Sequence, residues 1–280
     1  MYYNTKKKIT SYSINSFKDK NYYSFLKKFI KKGEKIAIIS LGCGNGEGEK
    51  VILEDLYRDG YTINYYGVDS SMSMIKLASK NLNKNSYPKS FICADFASEN
   101  FRRDFELLVS NYDKRIFVFL GNTLGNVQQD YMADTLRNML KSDDILWLDV
   151  VNRPDNLEST AGKNFERYSK FLNNPDFINF FKYPLDKLNI PFENGELLIE
   201  MRRENSLNAL LFTFDFLINK KTEVEIDGEI VTLLPDDTIE LINVRDYDVK
   251  SLIAFFESRH FKFQDKFSKN NKAEVVFKKL

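Results

Sequence analysis

Residues 36–50 read IAIISLGCGNGEGEK: a run of strand-forming residues from Ile36 to Leu41 ends in glycines at every second position, Gly42, Gly44, Gly46 and Gly48. A strand that runs straight into a glycine-rich turn and then a helix is the nucleotide-binding opening of an α/β sheet. Glycine lets the backbone turn sharply and approach a ligand with no side chain between. The spacing argues against the two commonest occupants. A dinucleotide fingerprint needs Gly-x-Gly-x-x-Gly, and the third glycine would fall on Glu47 or on Glu49, depending on register. The Gly-Lys-Ser/Thr ending of a phosphate-cradling loop is missing too, and Glu47 and Glu49 would repel a pyrophosphate. A cationic nucleoside without phosphate fits these residues. S-adenosylmethionine has that character, with a positive sulfonium and a zwitterionic amino-acid end.

Outward from this stretch, short apolar runs alternate with helical periodicity as far as Val151. The strands are KIAIISLG, INYYGVD, KSFICAD, RIFVFLG and DILWLDVV; helical segments begin near Gly48, Ser71, Phe101 and Gln129. Strands apolar on both faces and separated by helices predict a parallel sheet covered on both sides. After Val151 the rhythm changes. A helical, aromatic stretch is followed by GELLIEMRREN, ALLFTFDFLINK, TEVEIDGEIVTLL and DTIELINV, which alternate apolar with polar residues and predict an antiparallel meander, with Asp227-Gly228 as a hairpin turn. The helix DVKSLIAFFESR and the strands FKFQDKF and AEVVFKKL then return to the first pattern. The expected organisation is an N-terminal helical segment (1–35), with Ser16 as N-cap and Tyr22, Phe25, Leu26, Phe29 and Ile30 at helical spacing. A nucleotide-binding domain follows (36–151 and 246–280), interrupted by an inserted substrate-binding or cap region (152–245).

The 280 residues, 43% hydrophobic, suffice for a sizeable core, and a net charge of +1 gives no overall field toward nucleic acid or membrane. No apolar run approaches the roughly 18 residues of a membrane span. The two cysteines, Cys43 and Cys93, cannot form a disulfide scaffold and read as buried strand ends in a reducing compartment, so a cytoplasmic location is expected. The single histidine, His260, lies far along the chain from the glycine turn, which leaves no basis for a histidine metal site or a serine-histidine triad.

Two further strand ends carry acids. Asp69 closes YYGVD, where a carboxylate can accept both ribose hydroxyls; the alternative is a cap on the next helix. Asp95 and Phe96 close ICADF, where an acid can accept the adenine amino group beside a stacked ring, or simply form a turn. Glycine loop, Asp69 and Asp95 at three successive strand ends resemble the class I S-adenosylmethionine-dependent methyltransferases. The stretch FLGNTLGN (119–126) narrows this further. It resembles the FLG-x-T-x-GN element of the histidine-specific methyltransferase-like family, which includes the α-amino trimethylating enzymes of ergothioneine synthesis. The glycine loop followed by Glu49-Lys50, YYGVDSS, ADF and LLIEMRREN extend the likeness over most of residues 36–280.

The resemblance implies an α/β, Rossmann-like class I methyltransferase fold with an inserted α+β cap containing an antiparallel meander. It implies S-adenosyl-L-methionine as cofactor, converted to S-adenosyl-L-homocysteine. Gly42, Gly44, Gly46, Lys50, Asp69, Asp95 and Phe96 would hold the cofactor, and Gly121 and Thr123 would lie along it. Asn126 would hold the acceptor's carboxylate. The family's acceptor-gripping glutamate falls near Glu240, and where the family has a polar residue two positions later this chain has Ile242. The expected reaction is N-methylation of a small amine or amino-acid-like molecule by in-line transfer. Glu240, or Asp149 at the end of the fifth strand, would receive the proton, unless Asp149 is a solvated strand-end acid. Tyr168 offers a hydroxyl to the acceptor, or else packs as a core aromatic. The competing readings are an RNA or protein methyltransferase acting through the ten lysines of residues 1–35, and a cofactor-binding protein without catalysis.

Overall fold

The computed structural model describes residues 24–84, 86–153, 157–226, 228–269 and 271–280. Ser16, Tyr22 and Tyr23 of the expected leading helix, and Asp227 of the expected hairpin turn, lie outside the described residues. Ser24–Lys28 forms a 3-10 turn, and just beyond it the chain reverses at Gly33 (φ 92°). In chain order the elements are β1 (Lys35–Leu41), α1 (Glu47–Arg58), β2 (Thr62–Asp69), α2 (Met72–Leu82), β3 (Lys89–Cys93), α3 (Glu99–Val109), β4 (Lys114–Phe119), α4 (Gln129–Met139) and β5 (Ile145–Val151). Next come α5 (Leu157–Leu172), α6 (Pro175–Lys187), β6 (Gly195–Glu204), β7 (Ala209–Ile218), β8 (Thr222–Ile226), β9 (Glu229–Leu233) and β10 (Thr238–Asp246). The chain closes with α7 (Val249–Glu257), β11 (Phe261–Lys269) and β12 (Lys272–Lys279).

The chain forms two compact units, one running to Asn152 and resuming at Val249–Leu280, the other spanning Arg153–Asp248. The first is built on a seven-stranded sheet of order β11-β12-β5-β4-β1-β2-β3. Strands β1 to β5 are mutually parallel, whereas β12 runs antiparallel to β5 and β11 antiparallel to β12. The central strand β1 is buried from Ile36 to Leu41, as its unbroken apolar run requires of a strand covered on both faces. Ile36, Ile38, Ile52, Leu56, Ile116 and Trp147 share one core cluster, which Leu26 and Ile30 join from the N-terminal side. From β1 the chain steps outward through β2 to β3, then returns to the other flank of β1 with β4. The strand order therefore reverses between β1 and β4, and the carboxyl ends of the strands at such a switch point are where open α/β sheets take ligands.

At the opposite end of β4, Arg115 is buried in a cage of acids. Its Nε lies 2.9 and 3.1 Å from the two Asp144 oxygens, and its Nη1 lies 2.6 Å from Glu106 Oε2. Cys43 is buried as expected, but Cys93 is exposed. The reason is topological: β3 is the edge strand of the sheet and has only partial cover.

The second unit packs α5 and α6 on one face of a three-stranded antiparallel sheet of order β10-β7-β6, with β8 and β9 paired as a separate hairpin. The fourth strand of the meander thus returns to β7. On β7, Phe212, Phe214 and Phe216 alternate onto the helix-covered face, where Phe214 lies 5.1 Å ring to ring from Phe181.

Candidate functional site

The turn after β1 is shaped by backbone hydrogen bonds and left-handed glycines. The amides of Gly42 and Cys43 both donate to Val68 O of β2 at 2.9 Å, which bends the chain out of the sheet just past β1. Gly42, Gly44 and Gly46 have φ of 75°, 54° and 72°, so the alternating glycines of the sequence are alternating left-handed residues. At Gly42 a Cβ would also stand 2.4 Å from Thr123 Cγ2 of the loop after β4, so the two loops meet where only a glycine fits. No heavy atom stands within 4 Å of where a Cβ would be at Gly44 or Gly121, so these turns offer bare backbone to open space.

Gly42→Ala is expected to destabilise the first unit by about 2 kcal/mol or more through the left-handed φ and the methyl clash. Adding Thr123→Ser, which deletes Cγ2 and keeps the hydroxyl, should recover part of that loss. Urea unfolding of the three variants tests both terms.

Asp69 ties this loop to the next helix. Its Oδ2 accepts from Gly44 N at 2.9 Å and its Oδ1 from Ser71 N at 2.8 Å. The N-cap of α2 is Ser71, so Asp69 is not the cap and its carboxylate faces the loop. One strand further out, Asp95 is exposed, its Oδ1 accepts from Ala97 N at 2.9 Å, and the Phe96 ring meets Phe119 edge-on at 5.8 Å. On the β4 side, Gly121 N donates to Asp149 Oδ2 at 2.7 Å and Thr123 Oγ1 to Leu120 O at 2.7 Å. Asp149 is 1% exposed with Lys272 Nζ 4.0 Å away, so it is a buried support of this loop and not a solvated strand-end acid. Asn126 is exposed at the end of the 3-10 turn Thr123–Asn126, and α4 starts only after Gln128. Lys50 points along α1, its ammonium 3.9 Å from Glu54.

Glu49 was predictable only as a loop acid, yet it is buried. Its side chain turns inward from the first turn of α1, and Oε1 accepts from Ser40 Oγ at 2.7 Å. Burial, reinforced by the nearby Asp69 charge and partly offset by the Ser40 hydrogen bond, pushes its carboxyl up to about 7. The Cys43 thiol is raised by burial and by Glu49 and Asp69, which makes it inert as a nucleophile.

In the second unit, Tyr168 is a core residue. It is 3% exposed, its ring centroid lies 4.4 Å from that of Phe212, and its hydroxyl donates to Asp246 Oδ1 at 2.8 Å. Glu240 is exposed on β10 opposite Asp215 of β7. Between Glu240 and Ile242 the register shifts by a β-bulge, so Ile242 pairs with Phe214 and packs under the helices, while Asn243 comes opposite Thr213. Glu240 and Asn243 thereby share the face opposite α5 and α6, and Asn243 Nδ2 donates to Glu240 Oε1 at 2.6 Å. The polar residue beside Glu240 on that face is therefore Asn243, and Ile242 is turned away from it. Asp215 and Thr213 complete this face, joined by a 2.8 Å hydrogen bond. Partial burial, with Glu240 and Glu200 nearby, raises the Asp215 carboxyl despite the Thr213 hydrogen bond and the Arg202 charge, both of which lower it. Sequence reading missed Asp215 and Asn243; the alternation of ALLFTFDFLI would have marked Asp215, whereas no local signal announces the bulge.

The residues of the first unit suit S-adenosylmethionine. Bare glycine backbone lines the turn, Asp69 ends β2 and Asp95 follows two residues after β3, and no basic side chain sits in the glycine turn to pair with a phosphate.

Comparison with known proteins agrees with this geometry. A family model described as histidine-specific methyltransferase, SAM-dependent, matches residues 20–277. Among solved structures, an S-adenosylmethionine-dependent methyltransferase from Clostridium acetobutylicum ATCC 824 is 11% identical with a TM-score of 0.50, covering 98% of this chain and 96% of that one. A protein from Pyrococcus horikoshii OT3 is 13% identical with a TM-score of 0.50, covering 95% of this chain and 90% of that one. Both likenesses concern the fold, the Rossmann-like class I arrangement with an antiparallel insertion. No curated protein matches the chain.

Proposed function

This chain belongs to the histidine-specific, S-adenosylmethionine-dependent methyltransferase family, and from that premise we propose that it N-methylates a small, amino-acid-like amine. The observation that carries the acceptor class is the face of the β10-β7-β6 sheet opposite the one that α5 and α6 cover. There Glu240, hydrogen-bonded to Asn243, stands opposite Asp215, with the Glu200 carboxylate near enough to raise the Asp215 carboxyl. Such a face attracts an ammonium group and can take up the proton it must lose before its nitrogen becomes a nucleophile.

The cofactor supplies a methyl carbon already activated by the sulfonium. The protein's share is then placement, which can contribute roughly 7 to 11 kcal/mol toward the barrier. Gly42, Gly44 and Gly46 bring backbone close to the cofactor, Asp69 takes its ribose hydroxyls, and Asp95 and Phe96 take its adenine. Gly121 and Thr123 line it, and the buried Asp149 holds Gly121 in place. Glu240 of the second unit grips the acceptor and accepts its proton, and Tyr168 supports that part of the second unit through its bond to Asp246.

The test is a mass-spectrometric panel of amines and amino acids with wild type and Glu240→Gln. A methylated amine product is expected, with kcat/KM lowered about 100-fold in the variant. An acceptor found only among RNA or proteins, with rates falling steeply in salt, would overturn the reading.

A further inference from the structure

The glycine turn lies over a buried group whose charge the cofactor scheme above does not use. Glu49 is 5% exposed, yet it sits in the first turn of α1, three residues after Gly46, and reaches back to Ser40 at the end of β1. The groups facing it come from every side of the turn: Ser40 from β1, Tyr65 and Asp69 from β2, and Cys43 from the turn itself. Tyr65 and Cys43 crowd the same spot, since a Cβ at Gly67 would stand 2.9 Å from the Tyr65 hydroxyl and 3.1 Å from Cys43 Sγ. Neither is ionised at neutral pH, because burial raises both. Among the described residues no lysine or arginine acts on Glu49, and Asp69 adds a second negative charge. An acid so placed is poised between protonated and ionised. Among the described residues no cationic side chain is there to neutralise it, so in the free protein a proton does so until a ligand brings a positive charge.

We infer that Glu49 is a specificity-determining residue of the cofactor site, which ionises when the cationic S-adenosylmethionine binds and so favours it over its uncharged-sulfur product. The inference rests on the cofactor and not on the acceptor. S-adenosylmethionine carries one more positive charge than S-adenosylhomocysteine, at the sulfur. A cation beside the glycine turn stabilises the Glu49 carboxylate, so its proton leaves to solvent on binding, and linkage requires affinity for the cation to rise with pH until Glu49 is ionised in the free protein. After methyl transfer the charge at sulfur is gone, Glu49 takes a proton back, and the product is held less tightly.

The experiment is calorimetric titration of both ligands into wild type, Glu49→Gln and Ser40→Ala between pH 5.5 and pH 8.5, in buffers of different ionisation enthalpy. Comparing variants with the same ligand cancels titration of the ligand's own amino group. Wild type is expected to gain about five- to tenfold in S-adenosylmethionine affinity across this range relative to Glu49→Gln, with proton release largest near neutrality and a smaller effect for S-adenosylhomocysteine. Ser40→Ala removes the hydroxyl that stabilises the carboxylate, so its affinity step should move to higher pH. Apo stability offers an independent readout. A raised carboxyl contributes stability that is fully present below its unfolded value and lost as pH rises through about 7, a loss that Glu49→Gln should not show. Equal proton release for both ligands, or identical pH profiles in wild type and Glu49→Gln, would overturn the inference. Absence of binding by either ligand in wild type would instead overturn the cofactor assignment beneath it.

Discussion

Asp69→Ala should leave a folded protein that no longer binds S-adenosylmethionine at micromolar concentrations, with affinity lowered at least about 100-fold, or about 2.7 kcal/mol. Two losses combine. The carboxylate proposed for the ribose hydroxyls disappears, and hydrogen bonds to a charged group contribute roughly 1.5–3 kcal/mol each. The same oxygens also accept from Gly44 N and Ser71 N, so the glycine turn loses the anchor that ties it to β2 and α2. Asp69→Asn separates the two. It keeps one oxygen as an acceptor, places an amide where the other was, and should fall between wild type and Ala. Asp69 lies at the rim of the sheet, so melting temperature should move far less than affinity. Calorimetry and thermal unfolding on the same samples give both numbers. Unchanged affinity in Asp69→Ala would remove Asp69 from the cofactor site.

Asp144→Ala should have the reverse profile: a large loss of stability with cofactor affinity unchanged once the protein is folded. Arg115 has 3% of its side chain exposed and Asp144 has 6%, so the pair is removed from water together. Asp144 accepts from Arg115 through both oxygens, and its Oδ2 also accepts from Lys141 N at 2.6 Å. Truncating it leaves a buried guanidinium with Glu106 as its remaining acid, and Glu106 also serves Lys141 at 2.6 Å. Breaking such a pair costs about 3–5 kcal/mol, far above the effect of an exposed ion pair. Thermal unfolding should fall by about 10 °C, since each kcal/mol moves a chain of this size by about 2–4 °C. The cluster lies where β4 and β5 begin, at the end of the sheet away from the glycine turn, which is why binding should survive. A fall in affinity matching the fall in stability would show the two ends of the sheet to be coupled.

The sequence by itself determined the order and kind of the elements from β1 onward, because local periodicity and turn chemistry carry that information, whereas the expected leading helix is over its described residues only the 3-10 turn Ser24–Lys28. The run Ile36–Leu41 became the buried central strand, the alternating glycines became alternating left-handed turns, and Asp69 ends its strand while Asp95 follows two residues after its own. The cofactor could be argued at that level, since a strand end is a local feature and the acids follow the strands in the text of the chain. What only the tertiary structure decided depends on which segments are brought together. Glu49 and Glu47 are alike as letters, but α1 turns one toward Ser40 and leaves the other less buried, and that burial makes Glu49 a proton-linked group. Asp149 could have been a solvated acid until β12 covered it beside β5. Cys93 is exposed because β3 happens to be the edge of the sheet. The bulge after Glu240 exchanges Ile242 for Asn243 on the polar face, and nothing local announces it. In an unshifted register Leu241 would stand opposite Phe214, Ile242 would join Thr213 on the polar face and Asn243 would fall opposite Phe212 beneath the helices; the extra residue keeps Ile242 and Val244 in the apolar cluster and Asn243 out of it.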